Sequence, residues 1–328
     1  MIQHLEIKNF KSIKDLSFPC KKLNVFIGEP NSGKSNIIEA LSLRSQNAIN
    51  RFLNKEMFRY NSLSDLFYDS NINDAIEIKS DDGIKSILKY GILENGTLDN
   101  QFHFYLDITT NKNSPTKINH NGEINYPGNL ESTNVHLYDF KRLQSFTNGL
   151  FQHLSVPHGD NLPSLLISNA DNKKWVSEFL KSKGMTLTLK PAENEISVSK
   201  FIDDEIYSYP YFSISETLQR VIFYTIALKS NTNSIILLDE PESNTFPFYT
   251  KYLAERIALD KTNQFFITTH NPYLLQNLIE KSSIDDINVC VTSMKNYQTT
   301  VVSLNENQIS KVLDFNSDVF FNLENLVE

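Results

Sequence analysis

The chain has 328 residues, 40% hydrophobic and 21% charged, with 22 Phe, 14 Tyr and only 10 Gly. This excludes a low-complexity or disordered chain and leaves room for one large domain or two modest ones. A net charge of −8 and a pI near 5.5 supply no global basic field, so nucleic acid would need a local patch.

Lys173-Lys174 and Lys181/Lys183 come nearest to a patch and read more simply as a solvated helix face. Cys20 and Cys290 are far apart without metal spacing, which fits a reduced, cytoplasmic setting. Met1 to Phe10 lacks the apolar stretch of a signal peptide, and no 18-residue apolar run predicts a membrane helix.

In chain order, Ile2, Leu5 and Ile7 alternate with polar residues as in a strand near a sheet edge. Lys21–Ile27 ends as a short buried strand, and Asn36–Leu43 is a helix with Ile37, Ile38 and Leu41 inward. From 74 to 139 the chain reads as an antiparallel meander. Its strands are Ala75–Lys79, Lys85–Tyr90, Phe102–Ile108 and Lys117–Asn119, with turns at Asp82-Gly83, Glu94-Asn95-Gly96 and Asn121-Gly122. Val135–Asp139 is a further strand.

Residues 141 to about 182 read as helical, broken at Pro157, Gly159 and Pro163, with Trp175, Phe179 and Leu180 on an apolar face. Strands return at Thr186–Leu189, Ile196–Val198 and Glu205–Tyr209, followed by an amphipathic helix over Ser215–Lys229. Ser234–Leu238 is a continuous apolar strand of the parallel-sheet kind. A helix, a strand at Gln264–Thr268, a helix at Pro272–Lys281 and a strand at Ile287–Thr292 complete βαβ units with right-handed crossovers.

Three motifs carry chemistry. Gly28-Glu29-Pro30-Asn31-Ser32-Gly33-Lys34-Ser35 matches G-x-x-x-x-G-K-[ST] after an apolar strand and before a helix that begins at Asn36. Its backbone N–H groups and the helix N-terminus make an anion site. Lys34 is expected to reach the β- and γ-phosphates of ATP, and Ser35 to place its hydroxyl on Mg²⁺. Ile235-Ile236-Leu237-Leu238-Asp239-Glu240-Pro241-Glu242 delivers carboxylates to the C-terminal edge of a sheet. Asp239 is expected to hold Mg²⁺ through water and Glu240 to polarise the attacking water as general base. Phe265-Phe266-Ile267-Thr268-Thr269-His270-Asn271 ends a third strand in a polar cluster, with His270 as a γ-phosphate contact.

The order Walker A, long middle, Ser-containing helix start, Leu-Leu-Asp-Glu-Pro-Glu and Thr-Thr-His resembles an ABC-type ATPase head. More narrowly it is similar to the bacterial OLD-like/RecF-like "AAA family ATP-binding" group, whose N-terminus also reads like Ile7-Lys8-Asn9-Phe10-Lys11-Ser12-Ile13. The resemblance covers the whole chain. It implies an α/β P-loop NTPase head with a mixed central sheet, an antiparallel β subdomain and a helical subdomain. Residues 1–328 then form one head: 1–140 an N-terminal lobe, 141–200 a helical, signature-side subdomain, 201–328 a C-terminal lobe. The family's signature motif falls on Ser213 to Arg220, with Ser215 as helix cap facing the partner's γ-phosphate and Glu216 and Thr217 where glycine is usual. Asn244 and Phe246 stand where relatives often carry a histidine pair. Gln144 and Lys141 are alternative Q-loop residues.

The resemblance further implies an ATP-dependent, head-to-head homodimer regulating an effector such as a nuclease or toxin in a bacterial anti-phage defence module. The alternative is a DNA-repair or DNA-sensing ATPase like RecF or SMC. A transporter subunit is disfavoured by the β-rich middle, and a P-loop kinase by the Asp-Glu pair and the late Thr-Thr-His. The 58 residues after His270 are too few for the Toprim nuclease domain of OLD proteins, so no nuclease activity is expected of the chain itself.

Overall fold

The computed structural model describes residues 1–48, 53–92, 98–108, 115–126, 133–149 and 152–327. The chain opens with the hairpin of β1 (His4–Phe10) and β2 (Ile13–Pro19), then β3 (Leu23–Gly28) runs into α1 (Lys34–Ser42). Next come β4 (Ile76–Ser80), β5 (Ile84–Ile92), β6 (Leu98–Ile108), β7 (Thr116–Ile118), β8 (Ile124–Tyr126) and β9 (Val135–Tyr138). Helices α2 (Leu162–Ser168) and α3 (Ala170–Lys181) lead to β10 (Thr186–Lys190), β11 (Glu195–Ile202) and β12 (Glu205–Pro210). The C-terminal part alternates α4 (Glu216–Ser230), β13 (Ile235–Asp239), α5 (Pro247–Ala258), β14 (Gln264–Thr268), α6 (Pro272–Lys281) and β15 (Ile287–Lys295). It closes with β16 (Gln298–Ser303), α7 (Glu306–Phe315) and α8 (Glu324–Val327).

The central sheet has the order β16-β15-β3-β14-β13-β9. β15, β3, β14, β13 and β9 run parallel, and β16 is antiparallel at the edge. Strands buried on both faces must be apolar on both. Val25, Ile27, Ile236, Leu238, Phe265 and Ile267 therefore face α4, α5 and α6, in one core cluster. Phe26, Leu237 and Phe266 face the other way, onto Ile37, Ile38 and Leu41 of α1, in the second. That second cluster also takes Leu5 and Ile7 of β1 and Ile76 and Ile78 of β4, so α1 lies between the central sheet and an antiparallel seven-stranded sheet. The order of the latter is β2-β1-β4-β5-β6-β7-β8. The meander and the α/β class match the sequence reading; the Glu94-Asn95-Gly96 turn lies outside the described residues.

One expectation is overturned. The described residues of 141–161 form no helix; helix begins at Leu162. The reason is local. Thr147 N–H donates to Asp160 O at 2.8 Å and Asp139 N–H to Pro157 O at 3.0 Å, so the backbone is satisfied across a loop rather than along a helix. Phe140 and Phe146 pack singly, against Phe223 and Tyr211, without helical spacing. Pro163 does not break a helix but sits in the first turn of α2, where its missing N–H costs nothing. Periodicity also missed β2, β8, β16 and the terminal helices.

Candidate nucleotide site

β3, β13 and β14 are neighbours and end on one edge, so the loops after Ile27, Leu238 and Thr268 converge. Their side chains line a cleft of about 480 Å³ that includes Ser32, Lys34, Ser35, Glu240 and His270. In the loop after β3, Asn31 (φ 61°) and Gly33 (φ 96°) take left-handed conformations, which turn the chain tightly into α1. No acidic residue occupies the first turn of α1, leaving its positive dipole end to an anion.

The Lys34 ammonium is folded into the loop. It donates to the Gly28 carbonyl at 3.0 Å, the Glu29 carbonyl at 2.8 Å and Ser32 Oγ at 3.3 Å. Burial pushes its pKa below the usual lysine value, while Glu240 and Asp239 pull the other way. Ser35 Oγ donates to Asp239 Oδ1 at 3.1 Å. Hydroxyl and carboxylate oxygens are the donors Mg²⁺ takes, directly or through its waters, so the Ser35–Asp239 pair fits a magnesium ion.

Glu240 is held in a left-handed conformation (φ 45°) that few non-glycine residues adopt. Its N–H donates to Thr268 O at 3.2 Å and Thr268 Oγ1 at 3.1 Å, while the Thr268 hydroxyl itself donates to Asp239. The turn aims the Glu240 carboxylate at the cleft. There Oε1 lies 3.2 Å from His270 Nε2 and Oε2 accepts from Ser243 Oγ at 3.3 Å. Burial lowers the His270 pKa, Lys34 adds to this, and Glu240 and Asp239 oppose it. The imidazole is thus biased towards its neutral form, in which Nε2–H can donate to Glu240.

Lys34, Ser35, Asp239, Glu240 and His270 come together at this edge. Pro30, Asn31, Ser32, Gly33 and Asn36 line the same cleft, with Gly28 beneath it and Glu29 contributing its carbonyl. Ser215 does not line it. Ser215 holds the N-cap position of α4, but its exposed hydroxyl makes no cap hydrogen bond among the described residues; its carbonyl closes the first turn instead. Glu216 bonds Arg220 at 3.0 Å, one turn along, rather than projecting freely. Lys141 pairs with Glu56 at 3.1 Å, and Gln144 lines a separate cavity beside β11 and β12. The carboxylate at the end of β9 is Asp139. Burial and nearby Asp239 push its pKa up, against a pull from His158.

Sequence reasoning missed Lys11, Ser12 and Arg59, which also line the cleft. Lys11 and Arg59 both pair with Glu39, a buried carboxylate on α1, leaving a surplus positive charge beside the phosphate loop. Ser12 accepts from Asn36 Nδ2 at 2.7 Å and bonds Thr299 Oγ1 at 2.7 Å. Lys11-Ser12 was visible as part of the N-terminal resemblance; Arg59 sits in a stretch with no pattern.

Thr299 also fixes a test of the loop. A Cβ built on Gly33 would lie 1.9 Å from Thr299 Oγ1, and one on Gly28 2.3 Å from the Thr292 carbonyl. Gly33→Ala is expected to weaken ATP binding by roughly 10²-fold through this clash and the strained φ. Titration with a fluorescent ATP analogue measures it; wild-type affinity would mean that the loop does not need its glycine.

Comparison with known families settles the class. Residues 23–276 match the family described as "AAA domain, putative AbiEii toxin, Type IV TA system". The chain belongs to this AAA-domain family. No curated protein sequence matches it. Among solved structures it is similar to an SmcHead bound to the C-winged helix domain of ScpA, with TM-score 0.58 and 18% identity over 94% of this chain and 99% of that one. It is also similar to an Smc head domain with an extended coiled coil bound to the C-terminal domain of ScpA derived from Pyrococcus furiosus. There the TM-score is 0.51 and the identity 16% over 95% and 98% of the two chains. At these identities the likeness is one of fold. The AAA-domain chain is an ATPase domain at family level with the architecture of an SMC head. No helix among its described residues is long and apolar enough to cross a membrane.

Proposed function

We propose that this chain binds ATP with Mg²⁺ and hydrolyses it, and that the nucleotide cycle governs its association with a second copy and with an effector subunit. The observation that carries the proposal is the convergence of Lys34, Ser35, Glu240 and His270 on one cleft at the ends of three adjacent strands, with Asp239 bonded to Ser35 at its edge. In this reading the loop N–H groups and Lys34 hold the phosphates, and Lys11 and Arg59 complete the basic wall. Ser35 and Asp239 hold Mg²⁺, which when bound neutralises phosphate charge. Glu240 takes a proton from the attacking water. His270, its Nε2 3.2 Å from Glu240, orients that carboxylate and meets the γ-phosphate.

The second copy is supported by exposed aromatics on segments next to the site residues. Phe246 follows the Glu242 turn, Tyr273 lies three residues beyond His270, and Phe321 adjoins the Phe320 ring packed 6.3 Å from His270. These three aromatics are 65%, 52% and 89% exposed, a disposition that favours burial against a partner. The exposed Ser215 hydroxyl is likewise open to a partner's nucleotide. An effector of the nuclease or toxin kind, in an anti-phage module of the OLD-like group, follows from the family resemblance.

Phosphate release from ATP by the purified chain tests the proposal. Hydrolysis should require Mg²⁺ and stop with EDTA. Failure to bind ATP at millimolar concentration would sink the reading, and stimulation by DNA would favour the repair alternative over effector control.

A further inference from the structure

Glu242 is buried to 5% exposure at the turn following β13, two residues beyond Glu240, and the chemistry above does not use it. Its Oε1 accepts a hydrogen bond from the Thr269 hydroxyl. Among the described residues its Oε2 has no hydrogen-bond partner. A buried carboxylate so placed is costly, and a residue chosen for stability alone would not be an acid. Burial pushes its pKa up to about 7, against the pull of the Thr269 hydroxyl.

Thr269 is the hinge of this contact. Its N–H donates to Phe26 O at 3.1 Å, on β3, and its hydroxyl accepts from Asn271 N–H at 2.9 Å. Asn271 in turn caps α6, its side chain accepting from Tyr273 and Leu274 N–H. The residues on both sides of His270 are thereby tied down, Thr269 to β3 and Asn271 to the Thr269 hydroxyl that Glu242 orients.

We propose that Glu242 is a positioning residue for hydrolysis: through the Thr269 hydroxyl it fixes the backbone flanking His270 and so holds the imidazole on Glu240. This rests on the assignment of Glu240 and His270 to hydrolysis. The contact needs an acceptor, not a charge, so Glu242→Gln should keep kcat within about threefold of wild type. Glu242→Met, similar in size but with no such acceptor, should lower kcat about tenfold while ATP affinity stays within about twofold. Thr269→Val should do the same and Thr269→Ser should restore the rate. The Glu242→Met/Thr269→Val double variant should be no slower than the slower single, because both break the Glu242–Thr269 bond.

Steady-state hydrolysis and equilibrium ATP binding read all of these. If Glu242→Met does not fold, the Thr269 pair alone carries the comparison. Wild-type kcat in Glu242→Met and Thr269→Val, a parallel loss of ATP affinity, or additive losses in the double variant would overturn the proposal. Glu240→Gln measured alongside separates the two levels. If it hydrolyses normally, the base assignment fails; if it is inactive while the Glu242 and Thr269 variants are normal, the positioning role alone falls.

Discussion

Lys34→Ala is expected to abolish measurable ATP binding, with a loss of at least about 10³-fold in affinity. The ammonium is pre-placed: it is buried at 5% exposure and rests on two carbonyls and a hydroxyl of the loop that would enclose the phosphates. A phosphate entering the loop can take over these donors at little ordering cost, since the side chain is already immobilised. Charge-assisted bonds of this kind are about twice as strong as neutral ones. Lys34 is not the sole cation of the cleft. Lys11 and Arg59 also line it, but Glu39 engages both. Their positive charge is partly spent, so they should not rescue the alanine variant. Isothermal titration with ATP, and the rise in Tm that bound ATP gives the wild type, check this. A Lys34→Ala protein binding ATP within tenfold of wild type would remove Lys34 from the phosphate site.

What the sequence disclosed follows a physical division. Lys34, Ser35, Asp239, Glu240 and His270 each end or follow an apolar strand, and a strand's C-terminal edge places its next residues without help from distant contacts. Those positions were readable because local chemistry fixes them. The grouping of Lys11, Ser12 and Arg59 depends on the β1–β2 turn and the segment at Arg59 meeting Glu39 of α1, a long-range arrangement that neither periodicity nor spacing signals. The same holds for Glu242, whose burial comes from its contact with Thr269, 27 residues away. Helices α5 and α6 carry proline in their first turn, and α6 is capped by Asn271, so the start of α6 was legible. The described residues of 141–161 misled because Phe140 and Phe146 at their start suggest a helix while serving separate packing contacts.

Glu240→Gln should bind ATP as the wild type does and hydrolyse it roughly 10²–10⁴-fold more slowly. The amide keeps the size of the side chain and one oxygen for His270 Nε2, but it cannot accept the proton of water. Glu240 is 41% exposed at the cleft, so the substitution leaves no buried cavity and folding should be unaffected. ATP should then persist, and its persistence exposes what the half-site lacks. The groups assigned to phosphate, metal and water come from the segments that follow β3, β13 and β14, with Lys11 and Arg59 beside them, whereas α4 begins outside the cleft at Ser215. A two-fold arrangement that brings the exposed Ser215 of each copy to the other's γ-phosphate completes both sites with one self-complementary surface. Glu216, committed to Arg220 at 3.0 Å, need not set its charge against that phosphate. Each ATP would then act as a contact between subunits that hydrolysis removes. Mass measurement in solution decides it: the Glu240→Gln protein should gain dimer on adding ATP, and Ser215→Arg on that background should prevent the gain by steric intrusion. A protein that stays monomeric with ATP bound, or dimerises equally well with Ser215→Arg, would mean that each site is complete within a single chain.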